Sequence, residues 1–167
     1  EGEISYAAAS LLEPWGCVLG AYTQRRRLEP KEGGVMLIVG TPGDERDYQF
    51  SAGLDAPARI VLSDAPASVK KLVDATAAEV IVRDGIEDYV ALSQELTDDV
   101  GFDDIVVLAP TSAATVGEIA LQMARRGTIN MVGTQPLDGF TNSDVGRMHY
   151  DYTAYLGNQG PDIAASY

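Results

Sequence analysis

Five short apolar runs recur along this chain with a helix-length stretch between most neighbours, and few folds accept that pattern. The runs are Val35 to Gly40, Arg59 to Ser63, Glu79 to Val82, Asp104 to Ala109 and Thr128 to Gly133. Helices are expected within Asp44 to Leu54, from about Pro66 to Ala77, over Glu87 to Asp98 and over Ala113 to Arg126. Strands that read as continuous apolar runs are buried on both faces, and parallel neighbours need a crossover of a dozen or more residues, usually a helix. The alternation therefore predicts an α/β fold: a doubly wound parallel sheet with helices on both faces and right-handed crossovers. After Gly133 a polar, glycine-rich loop, Thr134 to Arg147, leads into Tyr150 to Gly157, whose aromatic and β-branched residues suit a sixth, edge strand. Six strands in two halves give the order 3-2-1-4-5-6 of a Rossmann-type sheet. Pro161 to Tyr167 reads as the start of a further helix.

The first run delivers the backbone into a glycine turn, Gly40-Thr41-Pro42-Gly43-Asp44-Glu45. In a dinucleotide-binding unit such a turn opens a helix whose amide groups hold the pyrophosphate, with glycine at its first, third and sixth positions. Here those positions are Gly40, Pro42 and Glu45. Proline removes a donor, and Glu45 brings a carboxylate toward a dianionic ligand. Two unit charges about 4 Å apart repel by roughly 4 kcal/mol at an effective dielectric of about 20. Arg46 either compensates or pairs with Glu45 or Asp47 at the surface. Asp64 ends the second run, roughly 20 residues beyond the turn, where an acid accepts from a ribose hydroxyl and repels a 2′-phosphate. Its other reading is a cap for the helix that follows. Leu108, Ala109 and Pro110, followed by Gly133 and Thr134, end the fourth and fifth runs and would line the nicotinamide side of a cleft through backbone groups.

Composition narrows the partners. The 167 residues fit one domain, and 25 acidic against 12 basic side chains give a formal charge of −13, which repels nucleic acid and anionic lipid. The uncharged stretch Ile4 to Leu12 is too short for a membrane span and lacks a basic leader, so a cytoplasmic setting is expected. One cysteine, Cys17, and one histidine, His149, allow no internal disulfide and leave little for a metal site made within the chain. Cys17 reads as a small core residue, and no Ser–His–Asp set or other catalytic constellation is present. The opening segment, Tyr6 to Arg27, has Ala8, Leu11, Leu12, Trp15, Leu19 and Tyr22 at helical spacing, which predicts a helix with one buried face, broken near Pro14 and closed by Arg25 to Arg27.

Three stretches together carry a family resemblance. Ala8-Ala9-Ser10-Leu11-Leu12-Glu13-Pro14-Trp15-Gly16-Cys17 is similar to the passage from catalytic to coenzyme domain in medium-chain, zinc-type alcohol and polyol dehydrogenases, in flavour nearest the sorbose- or sorbitol-phosphate reductase branch. Phe102 to Val107 with Gly127 to Gly133 resembles their fourth and fifth strands, and His149 to Gly160 their last strand and its turn. The resemblance implies an NAD(P)-binding domain, residues 1–167, excised from a longer enzyme that passes hydride between an alcohol, polyol or sugar phosphate and nicotinamide. It also implies a zinc held by missing parts, with Glu13 of the Glu-Pro pair close to it, and a homodimer through the edge strand. The alternative is a Rossmann-like module that no longer binds dinucleotide and serves structure or oligomerisation.

Overall fold

A computed structural model describes residues 4–23 and 25–167. Its six strands are β1 (Val35–Val39), β2 (Arg59–Ser63), β3 (Glu79–Val82), β4 (Phe102–Leu108), β5 (Met123–Val132) and β6 (Ala154–Asn158). They form one sheet in the order β3-β2-β1-β4-β5-β6, and every pairing is parallel. This is the expected Rossmann-type topology. The centre is dry: β4 is buried along its whole length, and β1 and β2 are buried at all but their first residues.

The helices are α1 (Tyr6–Ala9), α2 (Leu12–Thr23), α3 (Ala67–Val73), α4 (Tyr89–Thr97), α5 (Ala113–Ala120) and α6 (Val145–Tyr150), with a 3-10 turn at Ile163–Ser166. On one face of the sheet Tyr89, Leu92 and Leu96 of α4 and Val116, Ile119 and Ala120 of α5 pack on Leu37, Val61, Ile105 and Ile129. On the other, Val69 and Val73 of α3 pack on Met36, Ile38, Ile60 and Leu62 with Tyr48 and Ile163. Successive strand residues alternate between the two clusters, as a pleated strand requires.

Several expectations need correction. No helix forms within Asp44 to Leu54; the segment is extended, and Gln49 makes a β-bridge with Asp162. Its burial alternates from Asp44 to Phe50, with Tyr48 buried and Asp47 and Gln49 exposed, which is a strand period and not a helical one. The aromatic rings are two residues apart, so only an extended chain lays both on the sheet. Phe50 stacks on Tyr167 with ring centres 6.4 Å apart, and Ser51 bonds Asp162 through both its amide and its hydroxyl. The helix expected to reach Arg126 ends at Ala120, because Met123 pairs with Phe102 and starts β5 early. Tyr150, expected to open the edge strand, ends α6, whose first turn is capped by the Asp144 carboxylate.

The opening helix breaks at Ser10–Leu11, so that Pro14 falls in the first turn of α2, where no donor is required of it. Its apolar side chains are not buried: Leu11, Trp15 and Tyr22 are 64, 69 and 80% exposed. Cys17 is exposed too, and not the core residue expected. Gln24 lies outside the described residues. Arg27, expected to close that helix, instead reaches Asp104 beneath the sheet at 3.0 Å.

Candidate functional site

The carboxyl ends of β1 and β4 diverge because β1 continues toward β2 on one side and β4 toward β5 on the other. A parallel sheet opens a crevice at such a switch point. Here the crevice has a volume of about 200 Å³ and is lined by Gly40, Thr41, Pro42 and Asp64, with Tyr89, Pro110, Thr111, Ser112, Thr115 and Val116 closing it from α4 and α5. Five of the sequence-predicted residues, these four and Pro110, thus come together. The others do not line it.

Gly40 is required by chain packing. A Cβ there would lie 2.1 Å from the Asp64 carbonyl oxygen, so the close approach that excludes a side chain is made by the β2 turn and not by a phosphate. Asp64 sits in the left-handed region at φ 50°, a conformation aspartate tolerates better than most residues. Its amide donates to the Asp84 carboxylate at 2.8 Å. One of its own carboxylate oxygens accepts from the Gly85 amide and the Ser63 hydroxyl at 3.1 and 3.2 Å. The Asp64 side chain is thereby oriented at the crevice, and it caps no helix; α3 begins behind Pro66 without a side-chain cap. Tyr89 faces it: burial, then the charges of Asp64 and Glu118, push its phenol above the ordinary value.

Thr41 donates its hydroxyl to the carbonyls of Leu108 and Ala109 at 3.0 and 2.9 Å, stitching the β1 turn to the end of β4. Ala109 is left-handed at φ 50°, and Gly133 lies behind Pro110, whose ring would stand 3.1 Å from a Cβ at that glycine. Thr134 is exposed beyond it. Gly43 makes a turn at φ 83°. Asp44 and Glu45 line a separate hollow with Arg46, Asp47, Ser68 and Lys71. Asp44 accepts from the Arg46 side chain at 3.1 Å and from the Tyr48 hydroxyl at 2.6 Å. Burial opposes ionisation of Asp44, but the hydrogen bonds from Tyr48 and Arg46 outweigh it and hold the carboxyl below its ordinary range. Arg46 is thus committed to Asp44, with its guanidinium 5.0 Å above the Tyr48 ring and a long bond of 3.4 Å to the Val132 carbonyl.

Of the residues missed in the sequence, Thr111 and Ser112 had a findable signal, because they follow β4, whose end flanks the switch point, whereas Tyr89 reaches the crevice on α4 from beyond the edge strand β3 and left no local signal.

Glu13, the zinc-proximal candidate, accepts from the Cys17 thiol at 3.1 Å one helical turn away. That hydrogen bond, then slight desolvation and the Glu13 charge, raises the thiol above its ordinary value. Both residues line a groove of about 610 Å³ with Arg125 and His149 between α2 and α6. Among the described residues no three of His, Cys, Asp and Glu come together to hold a metal, so the donors present do not fit a zinc ion. Nor is any described helix long and apolar enough to cross a membrane.

No protein-family model matches the chain. An uncharacterized protein of Escherichia coli (strain K12), YggP, is 31% identical over 181 aligned positions covering 93% of this chain and 42% of that protein. A mannitol-1-phosphate 5-dehydrogenase of Aliivibrio fischeri is 29% identical over 93% of this chain and 42% of its own length. The chain thus spans about two-fifths of each of these relatives. Among solved structures, a benzyl alcohol dehydrogenase from Acinetobacter calcoaceticus superposes with a TM-score of 0.53 at 18% identity, covering 98% of this chain and 45% of that one. The two share a fold.

Proposed function

We propose that this chain is the NAD(P)-binding domain of a longer, zinc-type alcohol or polyol dehydrogenase, and that it supplies cofactor binding and not the catalytic groups. One observation carries the reading: Asp64 stands at the carboxyl end of β2, oriented by Ser63 and Gly85, on the wall of the switch-point crevice. A carboxylate so placed accepts from an adenosine ribose and disfavours a 2′-phosphate, so NAD is the expected cofactor. The dehydrogenase named among the relatives supports oxidoreductase chemistry on a polyol phosphate. Zinc, Glu13 beside it, and the reacting alcohol belong in this reading to parts of the enzyme outside the chain, with a homodimer formed along the free edge of β6.

The second reading, a structural or oligomerisation module, is favoured by the missing helix after β1, which deprives a pyrophosphate of its helix N-terminus. Calorimetric titration of NADH separates the two. Wild type is expected to bind weakly, and Asp64→Ala to lose about 1.5–3 kcal/mol, the worth of a hydrogen bond to a charged group. Absence of NADH binding at millimolar concentration leaves the module as the better account.

A further inference from the structure

We propose that the groove between α2 and α6 is a site for a small phosphomonoester, whose phosphate is held by Arg125 and Arg126. The groove lies at the amino-terminal end of β5 and β6, the end of the sheet opposite the switch-point crevice, so the inference stands or falls apart from the cofactor reading.

Cations are scarce in a chain of formal charge −13, and most are committed. Seven lysines and arginines pair with carboxylates, whereas among the described residues Arg25, Arg26, Arg125, Arg126 and Lys71 do not. Four of these five gather at one rim. Arg27 lies between the two pairs: its carbonyl accepts from the Arg26 guanidinium at 3.0 Å, and its own guanidinium reaches the Arg126 carbonyl at 3.5 Å. Arginines brought together without carboxylates repel one another, and a bound anion relieves that repulsion.

The backbone is shaped to show the second pair. Phe102 and Asp104 are two residues apart on β4, but their partners Met123 and Thr128 are five apart on β5, so the ladder is interrupted by a bulge. Bulges re-aim side chains and recur beside functional sites. This one leaves Arg125 and Arg126 exposed. Arg126 is left-handed at φ 62°, an unfavourable conformation for a long side chain, and its amide is fixed by the Asp151 carbonyl at 2.7 Å. Tyr152, on the groove wall, is left-handed too at φ 55°. Such strain persists only where the surroundings impose it, and it clusters at binding sites.

The groove supplies the rest. Its volume of about 610 Å³ is in the range of small-molecule sites. Arg125 and His149 line it with N–H donors, Tyr150 and Tyr152 add hydroxyls and ring faces, and Gly16 and Gly20 leave the α2 wall open, with nothing within 4 Å of an added Cβ. A planar guanidinium grips phosphate through paired donors, and the organic part of an ester lies along the tyrosines. The one carboxylate on the lining, Glu13, accepts from the Cys17 thiol.

The test is an NMR titration of the wild-type chain with inorganic phosphate, glycerol 3-phosphate and glycerol. Both phosphates are expected to shift the Arg125, Arg126 and His149 amides saturably, with dissociation constants of roughly 1 mM or below. Added salt should weaken them, and glycerol should shift nothing. Glycerol 3-phosphate should bind at least as tightly as phosphate. Arg125→Ala and Arg126→Gly should each weaken both phosphates at least fivefold; glycine suits the left-handed backbone, and the spectrum itself reports that each variant is folded. Lys71→Ala removes the uncommitted cation of a separate hollow and should change nothing. The inference is overturned by the absence of saturable shifts, by saturation at the Thr41 or Thr111 amides of the crevice instead, by weaker binding of the ester than of phosphate, or by a loss under Lys71→Ala equal to that under Arg125→Ala. None of these outcomes bears on NADH, whose binding is read at the other end of the sheet.

Discussion

Replacing Asp104 by asparagine tests what holds the amino-terminal segment to the sheet. The Asp104 carboxylate is 1% exposed and accepts from the Arg27 guanidinium at 3.0 and 3.1 Å, the Lys31 amide at 2.8 Å, the Thr128 hydroxyl at 2.6 Å and the Tyr167 hydroxyl at 3.3 Å. At 3.0 Å the gross attraction to Arg27 is about 5.5 kcal/mol at an effective dielectric of about 20. Asparagine removes the charge and turns one acceptor into a donor, leaving Arg27 facing a buried amide. Breaking a buried pair from one side costs about 3–5 kcal/mol, and for a domain of this size each kcal/mol moves the melting temperature by about 2–4 °C. A fall of roughly 6–20 °C is expected in a thermal melt. Asp103→Asn is the internal comparison. Its partner Lys31 is half exposed, and asparagine keeps an oxygen for the Val35 amide, so a loss of about 1–2 kcal/mol is expected. A double-mutant cycle pairing Asp104→Asn with Arg27→Met should return a coupling above about 1 kcal/mol. A melting temperature within about 2 °C of wild type, or a coupling under about 0.5 kcal/mol, refutes the view that this pair anchors the segment.

Gly40→Ala should lower stability by about 3 kcal/mol in a urea titration, since the added methyl meets the Asp64 carbonyl and neither turn can retreat; a loss below about 1 kcal/mol contradicts that geometry. Tyr48→Phe removes a hydrogen bond that holds the Asp44 carboxyl below its ordinary range. A depressed carboxyl contributes stability above its unfolded value and loses it as pH falls through the folded one, so the gap between wild type and Tyr48→Phe should be full near neutrality and shrink on acidification; a gap constant with pH speaks against the pairing. Cys17, exposed but raised by Glu13, should be alkylated slowly near neutral pH, and Glu13→Gln should accelerate it; equal rates in the two proteins would show that Glu13 does not restrain the thiol.

The sheet was legible in the sequence because its central strands β1, β2 and β4 are runs buried on both faces, which shows in the sequence as unbroken apolar stretches. Val35–Val39, Arg59–Ser63 and Glu79–Val82 fall where the runs predict, and the strand order follows from their alternation with helices. Asp64 was equally legible, since its place at the end of β2 depends only on counting. What the sequence could not decide was set by contacts between distant residues. Asp44 to Phe50 holds enough charged residues to pass for a surface helix, yet Asp162, Tyr167 and Ile163 meet it from the far end of the chain and draw it out extended. Met123 and Ala124 have helical propensity, and pairing with Phe102 overrides it. Glu45 lies one turn from the crevice in the chain and in a different hollow in space, because without a helix the turn after Gly43 no longer carries it over the strand ends. Local pattern determined which segments are strands; only the tertiary structure decided which side chains share the crevice, because a loop's direction depends on partners that no local window contains.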